Sequence, residues 1–279
     1  MIGLAHAGLG ALTGLAIGLT GVGGGALMAP ALIFWFGVEP QSAIATDLWF
    51  AVLTKLVAVK AHHGEGQVDW QVVRRLWWGS VPVACLVVLL VGHGVTLGKP
   101  EDLIASVGVL VIVTGLGLLM APHLLKVGRM RRLGRPERFK AVQPVLTVVG
   151  GAGLGFCVAL TSIGAGALGS VLLLYLYPLR MTPHRLVATD IAHAIPLALV
   201  AGLGYLWAGK VDGSLLLDLL AGSLPAVLVG SLLSRSIPGR WMQILLATLL
   251  LVAGMKVLNT CPRIPLPWRV PCQHCARRG

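Results

Sequence analysis

The sequence predicts an all-α polytopic membrane protein made of two copies of one four-segment unit. Three observations predict it. Hydrophobic residues make up 56% of the chain and charged residues 11%, with a mean hydropathy of +0.87, more apolar surface than a water-soluble domain hides in its own core. The apolar runs are continuous rather than alternating, which selects helices over a barrel among the structures that satisfy every backbone group in lipid. A set of short motifs also recurs at a constant spacing.

Taken in order, apolar stretches of about 20 residues or more, enough to cross the hydrocarbon core, fall near 3–37, 42–60, 71–91, 103–121, 142–178, 185–206, 214–234 and 240–258. They group as a first repeat (1–122), a basic linker (123–141), a second repeat (142–258) and a basic, cysteine-containing tail (259–279). The apolar N-terminus lacks a basic region before it and runs into glycine-rich sequence, so it reads as a span and not a cleaved signal. No stretch is left for an extramembrane enzyme domain.

The formal charge of +12 gathers in the linker and the C-terminus, not along an amphipathic face, so nucleic acid is excluded as a partner. Lys126, Arg129, Arg131, Arg132, Arg135, Arg138 and Lys140 stand against Glu137 alone, which places the linker in the cytoplasm by the positive-inside rule. Cys85 and Cys157 lie in apolar spans, where a thiol behaves as a small hydrophobe. In the tail, Cys272 and Cys275 flank His274, with Cys261 upstream. A second C-x-x-C to complete a tetrahedral metal site is missing, so no metal or other cofactor is expected.

The repeat is read from Pro40, Ala45-Thr46-Asp47, Gly66, Val68-Asp69 and Gly79-Ser80-Val81-Pro82, which return 143 residues later as Pro183, Ala188-Thr189-Asp190, Gly209, Val211-Asp212 and Gly222-Ser223-Leu224-Pro225. Thr20-Gly21-Val22-Gly23-Gly24-Gly25 likewise matches Thr161-Ser162-Ile163-Gly164-Ala165-Gly166. Repeated units of this kind are the usual architecture of secondary transporters. The first segment of each repeat is too long for one span, and glycines sit in its middle, where they weaken a helix. Two outcomes follow: about eight spans with parallel halves if the break only interrupts a helix, or ten crossings with inverted halves if the chain turns back.

A broken helix leaves unpaired N–H groups and a positive dipole end, which together hold an anion without a buried cation. Gly23, Gly24, Gly25, Gly164 and Gly166 are placed to offer amides, and Thr20, Thr161, Ser162, Thr46 and Thr189 to offer hydroxyls. Close helix packing through small residues is the competing structural reading. Asp47 and Asp190 are acids inside apolar segments at matched places, expensive to keep there and suited to carry a proton or bind a cation. The competing reading makes each an N-cap after its threonine. His193, three residues after Asp190, shares its helical face and suits a proton relay. Lys55 suits an anion contact, or snorkels to the helix end.

Gly21-Val-Gly-Gly-Gly followed by Pro30, then Ala45-Thr46, then the Gly66 to Asp69 loop, all repeated, resembles the TauE/SafE family of sulfite-exporter-like permeases from residue 5 to 258. The resemblance implies transport of small sulfur-containing or organic anions across the bacterial inner membrane. The chain departs from that pattern in its degraded second glycine run and in the aspartate after each Ala-Thr. The expected partners are a small anionic solute, a coupling proton or other ion, membrane lipid and further copies of the chain. A passive channel would share the twin acids but not saturable, gradient-following flux. A structural membrane protein would bind no solute, and an enzyme would call for an asymmetric nucleophile and base.

Overall fold

The computed structural model describes residues 2–20, 25–61, 68–93, 100–134, 136–164, 166–233 and 239–260. Among them all regular structure is helical: α1 (Ile2–Thr20), α2 (Gly25–Phe36), α3 (Pro40–Ala61), α4 (Trp70–Gly92), α5 (Pro100–Gly134), α6 (Pro136–Thr161), α7 (Ala167–Leu176), α8 (Pro183–Trp207), α9 (Gly213–Leu233) and α10 (Gly239–Thr260). Proline opens α3, α5, α6 and α8, where its missing N–H costs nothing and its fixed φ is already helical. Within these helices, Trp70–Gly92, Leu103–Val127, Ala141–Thr161, Arg185–Trp207 and Gly213–Leu233 are long and apolar enough to cross a membrane. The linker is not a loop: helix covers residues 123–134 and 136–141.

Both long first segments are broken, so four predicted segments per half become five helices. The chain turns back at each break. His6, near the start of α1, packs at a tilt against Phe36 at the end of α2, ring centroids 4.5 Å apart. Thr147, in the middle of α6 and about four turns before its end at the break, meets the Tyr177 hydroxyl just past the end of α7, Oγ1 to OH 2.9 Å. The return helices are short. With 12 residues in α2 and 10 in α7, they rise about 18 and 15 Å, well below the roughly 30 Å of a hydrocarbon core.

The first helix of each half packs on the fourth helix of the other. α1 runs parallel to α9, with Gly10, Gly14 and Gly18 against Leu219, Ser223 and Val227, and α6 runs parallel to α4, with Gly151 and Gly155 against Leu76 and Ser80. The approach is backbone to backbone: a Cβ on Gly79 would lie 1.9 Å from the Val148 carbonyl oxygen, and one on Gly222 1.8 Å from that of Ala7. Such small-residue seams give dispersion contact where lipid removes the hydrophobic drive between helices. At the centre α3 and α8 run antiparallel, with the Trp49 indole N–H donating to the Gly202 carbonyl at 3.0 Å. The outside stays apolar, Trp78 being 77% and Leu217 69% exposed, as a surface solvated by lipid requires.

Candidate substrate and coupling site

The polar groups sit inside. Asp47, Lys55, Asp190, His193, Ser162, Ser80 and Ser170 are all buried, on α3, α8, the α6–α7 break, α4 and α7. The break is a built turn. Ser162 takes the left-handed φ of 59° and Gly164 one of 121°, a conformation that is strained for serine and open to glycine. The Thr161 hydroxyl donates to the Cys157 carbonyl at 2.7 Å and accepts the Ile163 N–H at 3.2 Å. The Gly166 N–H donates to the Gly164 carbonyl at 2.8 Å.

The groups nominated from sequence therefore divide. Thr161 and the Gly166 amide are engaged within the turn. The Thr46 and Thr189 hydroxyls accept the N–H groups of Asp212 at 3.4 Å and Asp69 at 3.1 Å, which ties each to a loop of the other half. Ser162 Oγ is buried and unpaired among the described residues. Thr20 ends α1 and Gly25 begins α2, whereas Gly23, Gly24, Gly66, Arg135 and the Cys261, Cys272 and Cys275 tail lie outside the described residues.

Asp47 and Asp190 are not helix caps. Thr182 caps α8, accepting the Arg185 N–H, and α3 begins at Pro40, so each acid stands two turns inside its helix. Both oxygens of each carboxylate are buried and unpaired among the described residues, as is Nδ1 of His193. Nε2 of His193 lies 3.0 Å from the Ser80 hydroxyl of α4. Asp190 Oδ1 overlies Gly169 in the first turn of α7, where a Cβ would come within 2.4 Å of it. Ser162 lies beside Asp47. Lys55 is within electrostatic reach of Asp190, Asp47 and His193.

One cluster thus joins both acids, the histidine, the lysine and the second helix break. Sequence reasoning weighed Lys55 but did not nominate it, and it missed Ser80 and Ser170. Ser80 lay in the repeated Gly-Ser-x-Pro motif, so a signal existed. For Ser170 Oγ, buried and unpaired among the described residues like Ser162, nothing in the spacing pointed inward.

The sulfite exporter TauE/SafE family model matches residues 6–257. The chain belongs to the TauE/SafE family. A probable membrane transporter protein of Bacillus subtilis, YjnA, is 34% identical over 250 residues, covering 90% of this chain and 97% of that one. A second from the same organism, YunE, is 34% identical over 67 residues, 23% of this chain and 24% of its own. A probable membrane transporter protein of Haemophilus influenzae is 34% identical over 91 residues, 30% of this chain and 33% of its own. No solved structure matches. Membership makes this TauE/SafE protein a multi-pass membrane transporter.

Proposed function

We propose that the chain is a secondary transporter that moves a small anion, sulfur-containing or organic and of the sulfite or sulfonate type, across the bacterial inner membrane with proton coupling. The observation that carries this reading is the set of buried groups around the α6–α7 break that are unpaired among the described residues: the Ser162 and Ser170 hydroxyls, both carboxylates and Nδ1 of His193. In a finished interior such atoms cost free energy. A ligand that supplies their partners offsets that cost. Serine hydroxyls, the Lys55 ammonium and the first turn of α7 are the donors suited to an anion.

Charge balance supplies the coupling. Two carboxylates against one ammonium leave an excess negative charge, and adding an anion to it in a low-dielectric interior is unfavourable. A proton on one acid removes the conflict, so proton and anion travel together. Residues 143 apart make the same cross-half contacts, and α3 antiparallel to α8 is what inverted repeats produce, the arrangement on which alternating access is commonly built.

Orientation rests on the ends of the bundle. Arg74, Arg75, Arg180 and Arg185 lie at the end where α6 leaves the linker, and Glu39, Asp212 and Asp218 with Lys210 and His6 at the other. The positive-inside rule assigns the arginine end, with the linker, to the cytoplasm. The test uses proteoliposomes with an imposed pH gradient and labelled sulfite or methanesulfonate. Asp190→Asn, in contact with α7 and one turn from His193, should abolish uphill accumulation more completely than Asp47→Asn, while exchange at equal pH persists. Gradient-driven accumulation at the parental rate in both variants would overturn the coupling.

A further inference from the structure

The end of α7 that faces away from the break meets an unusual concentration of arginine. Asp69 caps α4, its Oδ1 accepting the Val72 N–H at 3.4 Å, and its side chain is 3% exposed. Arg180 Nη2 lies 3.1 Å and Arg185 Nη2 3.9 Å from its Oδ2. That oxygen nevertheless receives no aligned hydrogen bond, and Arg185 Nε is buried and unpaired among the described residues. Arg180 Nη1 also donates to Gln71 Oε1 at 3.3 Å. Arg75 Nη1 donates to the Tyr177 hydroxyl at 3.3 Å, which in turn meets Thr147.

Two guanidinium groups therefore flank one carboxylate that satisfies them poorly, with a third, Arg75, held on Tyr177 behind them. A guanidinium is built for paired, coplanar hydrogen bonds to an oxyanion. The two that flank Asp69 are about a third exposed, so a solute reaches them from the aqueous side. The other half lacks the cluster: 143 residues earlier, Gly37 stands for Arg180 and Ser42 for Arg185. The opposite end holds single ion pairs instead, Lys210 with Glu39 and His6 with Asp218, and among the described residues no second carboxylate there is shared by two guanidiniums.

We propose that Arg180 and Arg185, with Arg75 behind them, form a receiving site for a small oxyanion at one mouth of the transport path, where the anion pairs with the guanidiniums before it passes to the break. This rests on the anion-transport reading above. The path is short, because α7 itself connects the two places, its last turn at the arginines and its first at Asp190, about 15 Å apart. Asp69 acts as the resident anion, holding the arginines together until solute competes for them.

The experiment is a half-saturation measurement in proteoliposomes with sulfite and methanesulfonate as probes, joined to calorimetric binding of the same anions to the purified full chain. Arg180→Gln with Arg185→Gln should raise half-saturation by about tenfold or more, the loss of charge-assisted hydrogen bonds, with the effect falling on half-saturation and not on the limiting rate. The parent's half-saturation should also rise with salt, and the double variant's should not. Asp69→Asn keeps a good cap on α4 and removes the competitor, so half-saturation should fall. Unchanged half-saturation in both variants, with lowered thermal stability, would make the cluster a helix-end lock and overturn the proposal while leaving the transport reading intact. A parent that neither binds nor moves either probe would overturn both.

Discussion

The backbone N–H of Asp69, at the start of α4, donates to the hydroxyl of Thr189 in α8 at 3.1 Å, a bond between the two halves of the chain. Its counterpart joins Asp212, before α9, to Thr46 in α3 at 3.4 Å. The two bonds tie each loop that follows a central helix to the early turns of the opposite central helix. They place both threonines at the seam between the two halves.

Thr189→Val and Thr46→Val should therefore act on stability and leave half-saturation for the anion unchanged. Asp69 is buried, so its orphaned N–H costs about 1–2 kcal/mol. Asp212 is exposed and water replaces the lost acceptor, so Thr46→Val should cost less. Thermal unfolding in detergent and a transport titration check both parts.

The glycine seams give a sharper contrast. Gly79→Ala and Gly222→Ala place a methyl group against the carbonyl oxygens of Val148 and Ala7, and helices packed backbone to backbone can yield only by separating. A loss of about 1–3 kcal/mol or more is expected, seen as a lower unfolding midpoint and poor yield. At Gly8 and Gly153 an added Cβ meets nothing within 4 Å, so alanine there should be neutral or stabilising.

Asp212 carries a pH dependence outside the membrane spans. The Leu215 N–H, followed by the Ser214 hydroxyl, holds its carboxyl below the usual carboxylate range. A depressed folded-state value makes the contribution complete above the unfolded value, about pH 4, and loses it as the pH falls further. The stability gap between parent and Asp212→Ala should thus be constant above about pH 4 and close below it, while Asp212→Asn, still a cap, should show a smaller gap throughout. Unfolding midpoints across that range measure it.

What the sequence determined by itself was set by local composition and spacing. The helical membrane class follows from continuous apolar runs, because lipid leaves backbone groups no other solution. The position of both breaks followed from glycines clustered inside segments too long for one span, and the costly acids at Asp47 and Asp190 stood out against an apolar background. The tertiary structure decided what those features do. Whether the chain continues or reverses at the glycines depends on which surface the next helix finds, and the contacts of His6 with Phe36 and Thr147 with Tyr177 answered that. Capping was excluded for the two acids because the helices begin two turns earlier, at prolines whose role as first residues only the folded chain displays. The gathering of Lys55, Asp47, Asp190, His193 and Ser162 joins residues more than a hundred positions apart, and the grouping of Asp69 with Arg180 and Arg185 does the same. Long-range pairs of this kind arise from crossing helices, and no spacing along a single chain encodes them.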